Sequence, residues 1–180
     1  MKKIYLKKGK EESLGRFHPW VFSGAIAKMD DGIEEGDFVH VIKNNGEFIA
    51  IGHYQIGSIA VRVLSFKDKE ITPAFWEQHL ETALQVRIVS GMADSPTNNT
   101  YRLIHGEGDF LPGLVIDCYG KTAVMQAHSV GMHVQRQAIA DALKVAKQYQ
   151  TNSTSRTALR YDRLDNLLYA DSSDLFHFPS

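Results

Sequence analysis

Four cations crowd the stretch from residue 7 to residue 16: Lys7, Lys8, Lys10 and Arg16, with His18 just beyond. Ammonium and guanidinium groups at this density suit phosphate oxygens. An imidazole beside them can stack on a base or hydrogen-bond to it. The plainer account of the same residues is a solvated basic strand next to buried aromatics. A second cluster lies at His105, Glu107 and Asp109, spaced by Gly106 and Gly108 and followed by Pro112 and Gly113. A histidine and two carboxylates can bind a metal or relay a proton, so a small stand-alone hydrolase is one reading. The spacing is that of a loop, however, and carboxylates in such turns commonly cap backbone N–H groups. The other histidines, His40, His53, His79, His128, His133 and His177, lack ligand spacing. Cys118 is the one cysteine, which excludes an intrachain disulfide and a cysteine metal cluster.

These residues sit in a chain of 180 with a net charge of −1, so nothing global attracts a polyanion. The distribution is uneven. Residues 1–28 carry seven basic against two acidic side chains, a local balance of +5, and residues 29–60 carry one against six, −5. A basic edge beside an acidic stretch is consistent with a polyanion held on one face, and two solvated surfaces would look the same. No apolar run has signal-peptide or membrane-span length, so a soluble cytoplasmic protein with no membrane partner is expected.

The elements that must position the clusters are short. Residues 3–7, 38–42, 48–53 and 58–65 read as strands, rich in β-branched and aromatic residues and separated by Gly36, Asn45-Gly46 and Gly57. Asn45-Gly46 is the strongest hairpin signal. Residues 11–15 suggest a helical turn closed by Gly15, and Trp20 and Phe22 are expected to anchor a core. Short strands at this spacing suggest a small barrel. From Pro73 the period changes. Residues 73–92 and 131–149 carry helical spacing, with Thr72 as N-cap and Pro73 at the first helical position. Residues 101–104, 113–118 and 122–127 read as three further strands. The fold class expected is α+β: a small β-barrel, then a small sheet with flanking helices.

The segment Leu6–Ile26, with Leu6–Gly9 and His18–Phe22, resembles the start of the PUA domain of bacterial large-subunit ribosomal-RNA cytosine-5 methyltransferases, a class I S-adenosylmethionine-dependent family. The resemblance continues through Gly36-Asp37, Val39–Val41, Gly46, Gly52, Ser58 and Val61–Leu64. It resumes at Tyr101–Gly120 as that family's linking segment, and covers about residues 4–145. It implies a PUA-like RNA-binding domain at 1–69 and a linking α+β segment at 70–149. It also implies structured RNA, of the large ribosomal subunit, as partner, with Lys7, Lys8, Lys10, Arg16 and His18 as contacts. It gives Arg102, Glu107 and Asp109 a third role, a face that docks on a catalytic domain, which is preferred to the hydrolase.

Such enzymes also carry a glycine-rich cofactor turn and a nucleophilic cysteine. All fourteen glycines lie at or before Gly131, and no such turn follows it. Cys118 falls on a strand and is read as a strand residue, not a nucleophile. From Gln150 onward the chain has no Gly, Val, Ile, Lys or Glu. Residues 150–180 are therefore expected to be a disordered or unrelated tail. The expectation is an RNA-binding fragment truncated before its catalytic domain, inactive alone and without its own S-adenosylmethionine. A non-functional truncated product is the alternative beside the hydrolase, and a homodimer is left open.

Overall fold

The computed structural model describes residues 1–93, 95, 97–120, 122–148 and 158–162, the last five and 147–148 as backbone only. The chain divides into two compact units, Met1–Glu70 with Ser129–Val134, and Ile71–His128 with Gln135–Ser180.

The first unit contains six strands. They are β1 (Lys2–Leu6), β2 (Trp20–Phe22), β3 (Ile26–Met29), β4 (Phe38–Ile42), β5 (Phe48–Tyr54) and β6 (Ile59–Ser65). Their order is β2-β6-β5-β4-β1-β3. β1 runs parallel to β4 and the other pairs are antiparallel. Every antiparallel pair contains a register shift. Such bulges bend a strand and increase its twist, and the sheet curls into a half-barrel. Ile4, Leu6, Val39, Val41, Ala50, Val61 and Val63 fill its concave side. The β4–β5 hairpin turns at Asn45-Gly46. Gly46 takes φ +89°, Lys43 N–H donates to Glu47 O at 2.8 Å, and Asn45 Oδ1 accepts from Glu47 N–H.

Trp20 and Phe22 do not anchor this core. Val21 is 2% exposed, Trp20 is half-buried and Phe22 is 48% exposed. Successive side chains of a strand point to opposite faces, so burying Val21 turns both rings outward. Strands β2 and β3 lie on either edge of the sheet and are absent from the strand pattern read in the sequence. Between β1 and β2 the chain makes one helical turn, α1 (Glu12–Gly15), pinned to the core by buried Leu14. Phe17, not Gly15, takes the left-handed seat after it, at φ 62°.

The second unit contains α2 (Pro73–Val89), β7 (Thr100–His105), β8 (Leu114–Tyr119) and β9 (Thr122–Ala127). Thr72 is the residue before α2 and extended, but its side chain makes no capping bond. The helix expected at 131–149 is two helices. Only α4 (Arg136–Gln148) belongs to this unit, where it packs on α2. The first piece, α3 (Val130–Val134), belongs to the first unit. There Gly131 lies so near His53 that a β-carbon would sit 2.1 Å from His53 Cγ. Strands β7, β8 and β9 form an antiparallel meander. Within the tail expected at 150–180, Ala158–Asp162 pair as a strand, β10, parallel to β9 at the sheet edge. The rest of that tail lies outside the described residues. Cys118 is a strand residue, as its position suggested, and it is fully buried.

Candidate nucleic-acid interface

Strand β1 ends at buried Leu6, and the next residues leave the sheet as a turn. Lys7 N–H donates to Ala25 O, and Lys10 N–H donates to Lys7 O. The chain then passes through α1 and re-enters the sheet at Pro19, whose carbonyl accepts from Val63 N–H at 2.8 Å. This path presents Lys7, Lys8, Lys10, Arg16 and His18 as exposed side chains of one loop. The Lys7 ammonium donates to Gly24 O at 2.9 Å. Among the described residues none of the four cations forms an ion pair.

Part of the acidic stretch lies against β1. The Lys2 ammonium reaches Asp37 at 3.6 Å, and the Lys3 backbone N–H donates to Asp30 at 2.8 Å. Lys28 sits 4.5 Å from the centre of the Tyr5 ring. Of the basic side chains of residues 1–28, Lys2 is paired with Asp37 and Lys28 lies over the Tyr5 ring, whereas Lys7, Lys8, Lys10 and Arg16 share one loop with Glu11 and Glu12.

Beside that loop the outward rings of β2 form a cluster that the sequence reading missed as a surface feature. His18 and Trp20 are edge to face at 5.5 Å, and Trp20 and Phe22 are perpendicular at 6.3 Å. His18 Nδ1 accepts from Trp20 N–H. The signal was present in the even spacing of His18, Trp20 and Phe22, which places all three on one face of an extended segment.

The second cluster is built differently. Asp109 accepts from the two terminal nitrogens of the Arg87 guanidinium, one at 2.7 Å, and from His105 N–H at 2.6 Å. Its side chain is 9% exposed and that of Arg87 12%. Arg102 grips Asp117 through two nitrogens, at 2.8 and 3.0 Å. Glu107 is exposed on the turn. Asp109 thus ties α2 to the loop after β7. Its carboxylate is already committed to a guanidinium and a backbone N–H, which disfavours the hydrolase chemistry. Among the described residues no group of three His, Cys, Asp or Glu side chains is placed to hold a metal.

The fit of S-adenosylmethionine depends on a glycine-rich strand-to-helix turn. Among the described residues, β6 leads into α2 through 66–72, which contain no glycine. β9 leads into α3 through His128 and Ser129, and Gly131 beyond them is filled by His53. Neither of these two strand-to-helix connections contains a run of glycines.

Comparison with known proteins fits this architecture. Residues 4–66 match the family model described as a PUA-like domain. Ribosomal RNA large subunit methyltransferase I of Klebsiella pneumoniae is 39% identical over 144 residues, covering 79% of this chain and 36% of that protein. The Escherichia coli protein of the same name is 40% identical over the same coverage. The chain thus spans little more than a third of the length of these curated relatives. A Streptococcus mutans protein assigned as a SAM-dependent methyltransferase shares the fold with a TM-score of 0.74 at 17% identity, over 89% of this chain and 41% of that one. No helix among the described residues is long and apolar enough to cross a membrane. The chain carries a PUA-like domain at residues 4–66 and, over most of its length, is similar to bacterial ribosomal RNA large subunit methyltransferase I.

Proposed function

We propose that this chain binds structured RNA through the Lys7–His18 loop of its PUA-like domain and serves as the RNA-recognising part of a ribosomal-RNA methyltransferase. One observation carries the proposal: four exposed cations that form no ion pair among the described residues, Lys7, Lys8, Lys10 and Arg16, lie on one loop. Lysines there act as flexible point charges without bidentate geometry toward a base, so they hold phosphates and position the domain. Recognition of structured RNA by shape and backbone follows.

The names of the relatives favour large-subunit ribosomal RNA as the partner, in the cytoplasm. Methylation would fall on cytosine carbon 5, as the family resemblance implies. It would need S-adenosylmethionine, which this chain does not itself hold. In the second unit, Arg102, Glu107 and Asp109 shape a docking face for a catalytic domain. The Arg102–Asp117 and Arg87–Asp109 pairs fix its backbone, and Glu107 is its exposed member.

Hydrogen exchange on the full chain tests this reading. With a structured ribosomal-RNA fragment added, protection should concentrate in residues 7–18. Protection confined to β3, β4 or the second unit would refute it. Calorimetry with S-adenosylmethionine should show no heat of binding, and saturable binding would overturn the cofactor statement. Glu107→Gln should leave RNA affinity nearly unchanged, because that residue faces another partner. A large loss of affinity would contradict its docking role.

A further inference from the structure

The RNA reading so far uses charge alone, yet the loop borders a cleft of about 340 Å³. Trp20 and Phe22 form one side, Leu14 and Ala25 are apolar, and Ser13 and Lys10 are the polar members. We infer that this cleft receives one unpaired nucleobase, stacked on the Trp20–Phe22 corner, with a neighbouring phosphate on Lys10. The inference rests on the RNA-binding reading and adds to it the class of nucleotide recognised.

Geometry supports a flat, aromatic occupant. The Trp20 and Phe22 rings meet at 90° with centroids 6.3 Å apart, so a plane lying on one ring presents its edge to the other. Aromatic pairs favour both stacked and edge-to-face contacts. His18 abuts both rings, at 5.5 and 6.2 Å, and extends the aromatic surface toward the cations. The cleft volume is near the lower end of small-molecule sites, about 300–1,000 Å³, enough for one base with its sugar.

Charge decides between a nucleotide and an apolar peptide. Lys10 is an exposed member of the lining, and Lys7 bonds Gly24 O on the same lining. Lys8 and Arg16 are further exposed cations of the same loop. An apolar peptide would leave these charges unmatched, and a nucleotide brings a phosphate to them. A base inside a duplex has both faces covered by its neighbours, so only an unstacked base can use the rings.

The experiment compares two RNAs of equal length, a hairpin with an unpaired loop and a fully paired duplex, against the full chain. Phe22 is exposed, so Phe22→Ala should leave the melting temperature near wild type. It should weaken hairpin binding about ten-fold, the scale of losing one base–aromatic stack, and duplex binding less than two-fold. Phe22→Tyr should restore the hairpin affinity. Trp20 emission should be quenched by the hairpin and not by the duplex, and Trp20→Phe should abolish that quenching over the buried Trp76 background. Equal losses for both RNAs would overturn the inference. So would Phe22→Ala without effect on either RNA, the result expected if the cleft serves a protein partner. In both cases salt-sensitive binding would leave the RNA reading standing. Absence of salt-sensitive binding to either RNA would remove that reading as well.

Discussion

Burial of His53 to 2% exposure, with its ring 4.6 Å from Phe38, lowers its pKa from 6.5 to about 3, because the surroundings cannot solvate the imidazolium. The folded chain thus keeps His53 neutral while the unfolded chain protonates it below pH 6.5. The unfolded state then binds more protons, so stability is fully present above pH 6.5 and is lost as pH falls from there toward 3. The slope approaches about 1.4 kcal/mol per pH unit for one such group. Between pH 6.5 and 5, where most carboxylates stay ionised, wild type should lose melting temperature and His53→Phe should lose much less. Equal losses would show that another group controls the acid side. Asp109 makes the opposite case, a charge kept buried by a partner. Asp109→Ala leaves Arg87 buried without its carboxylate and should cost about 3–5 kcal/mol in a denaturant melt. A loss below about 1 kcal/mol would mean that solvent reaches Arg87 freely. The sequence marked His105, Glu107 and Asp109 as a group, but the partner that defines Asp109 is Arg87, 22 positions away on α2. Local spacing carries no trace of such a pairing.

Among the elements, legibility followed the strength of the periodic signal. β4, β5, β6, α2 and the β7–β9 meander have alternation or helical spacing over five residues or more, flanked by turn residues. β2 has three residues, too few to tell which face is inside. The bulk of Trp20 and Phe22 suggested the core, and the buried position went to Val21. β3 has one partly buried residue in four and no apolar pattern to read. The division of α3 from α4 was also hidden. Val134 continues the helical spacing of Ala138 and Ala142, but it ends a helix that packs in the other unit. Close approach of Gly131 to His53 permits that packing. Gly131→Ala would gain up to ~1 kcal/mol in helix propensity. The new methyl would overlap the base of an imidazole that has no rotamer escape, at the upper end of the ~1–3 kcal/mol cost of overpacking. The variant should therefore melt below wild type, and a higher melting temperature would contradict the tight contact.

At the scale of the whole molecule, folding redistributes the charge asymmetry read along the sequence. Residues 1–28 and 29–60 read as a basic edge beside an acidic stretch, and the fold pairs Lys2 with Asp37, while Asp30 accepts from the Lys3 backbone N–H. Lys7, Lys8, Lys10 and Arg16, which form no ion pair among the described residues, belong to a PUA-like domain in a chain similar to ribosomal-RNA methyltransferases. Their location was readable because exposed cations need no tertiary partner. The aromatic cleft beside them was not readable, since it depends on which face of β2 is buried. The most direct measurement is RNA affinity of the full chain as a function of salt, for wild type and for Lys8→Ala, Lys10→Ala and Arg16→Ala. Phosphate contacts release counterions, so affinity should fall steeply with salt, and each variant should flatten the log–log slope by about one unit for the contact it loses. RNA binding whose affinity and salt slope are the same in all three variants as in wild type would contradict the assignment of this loop as the RNA-binding face.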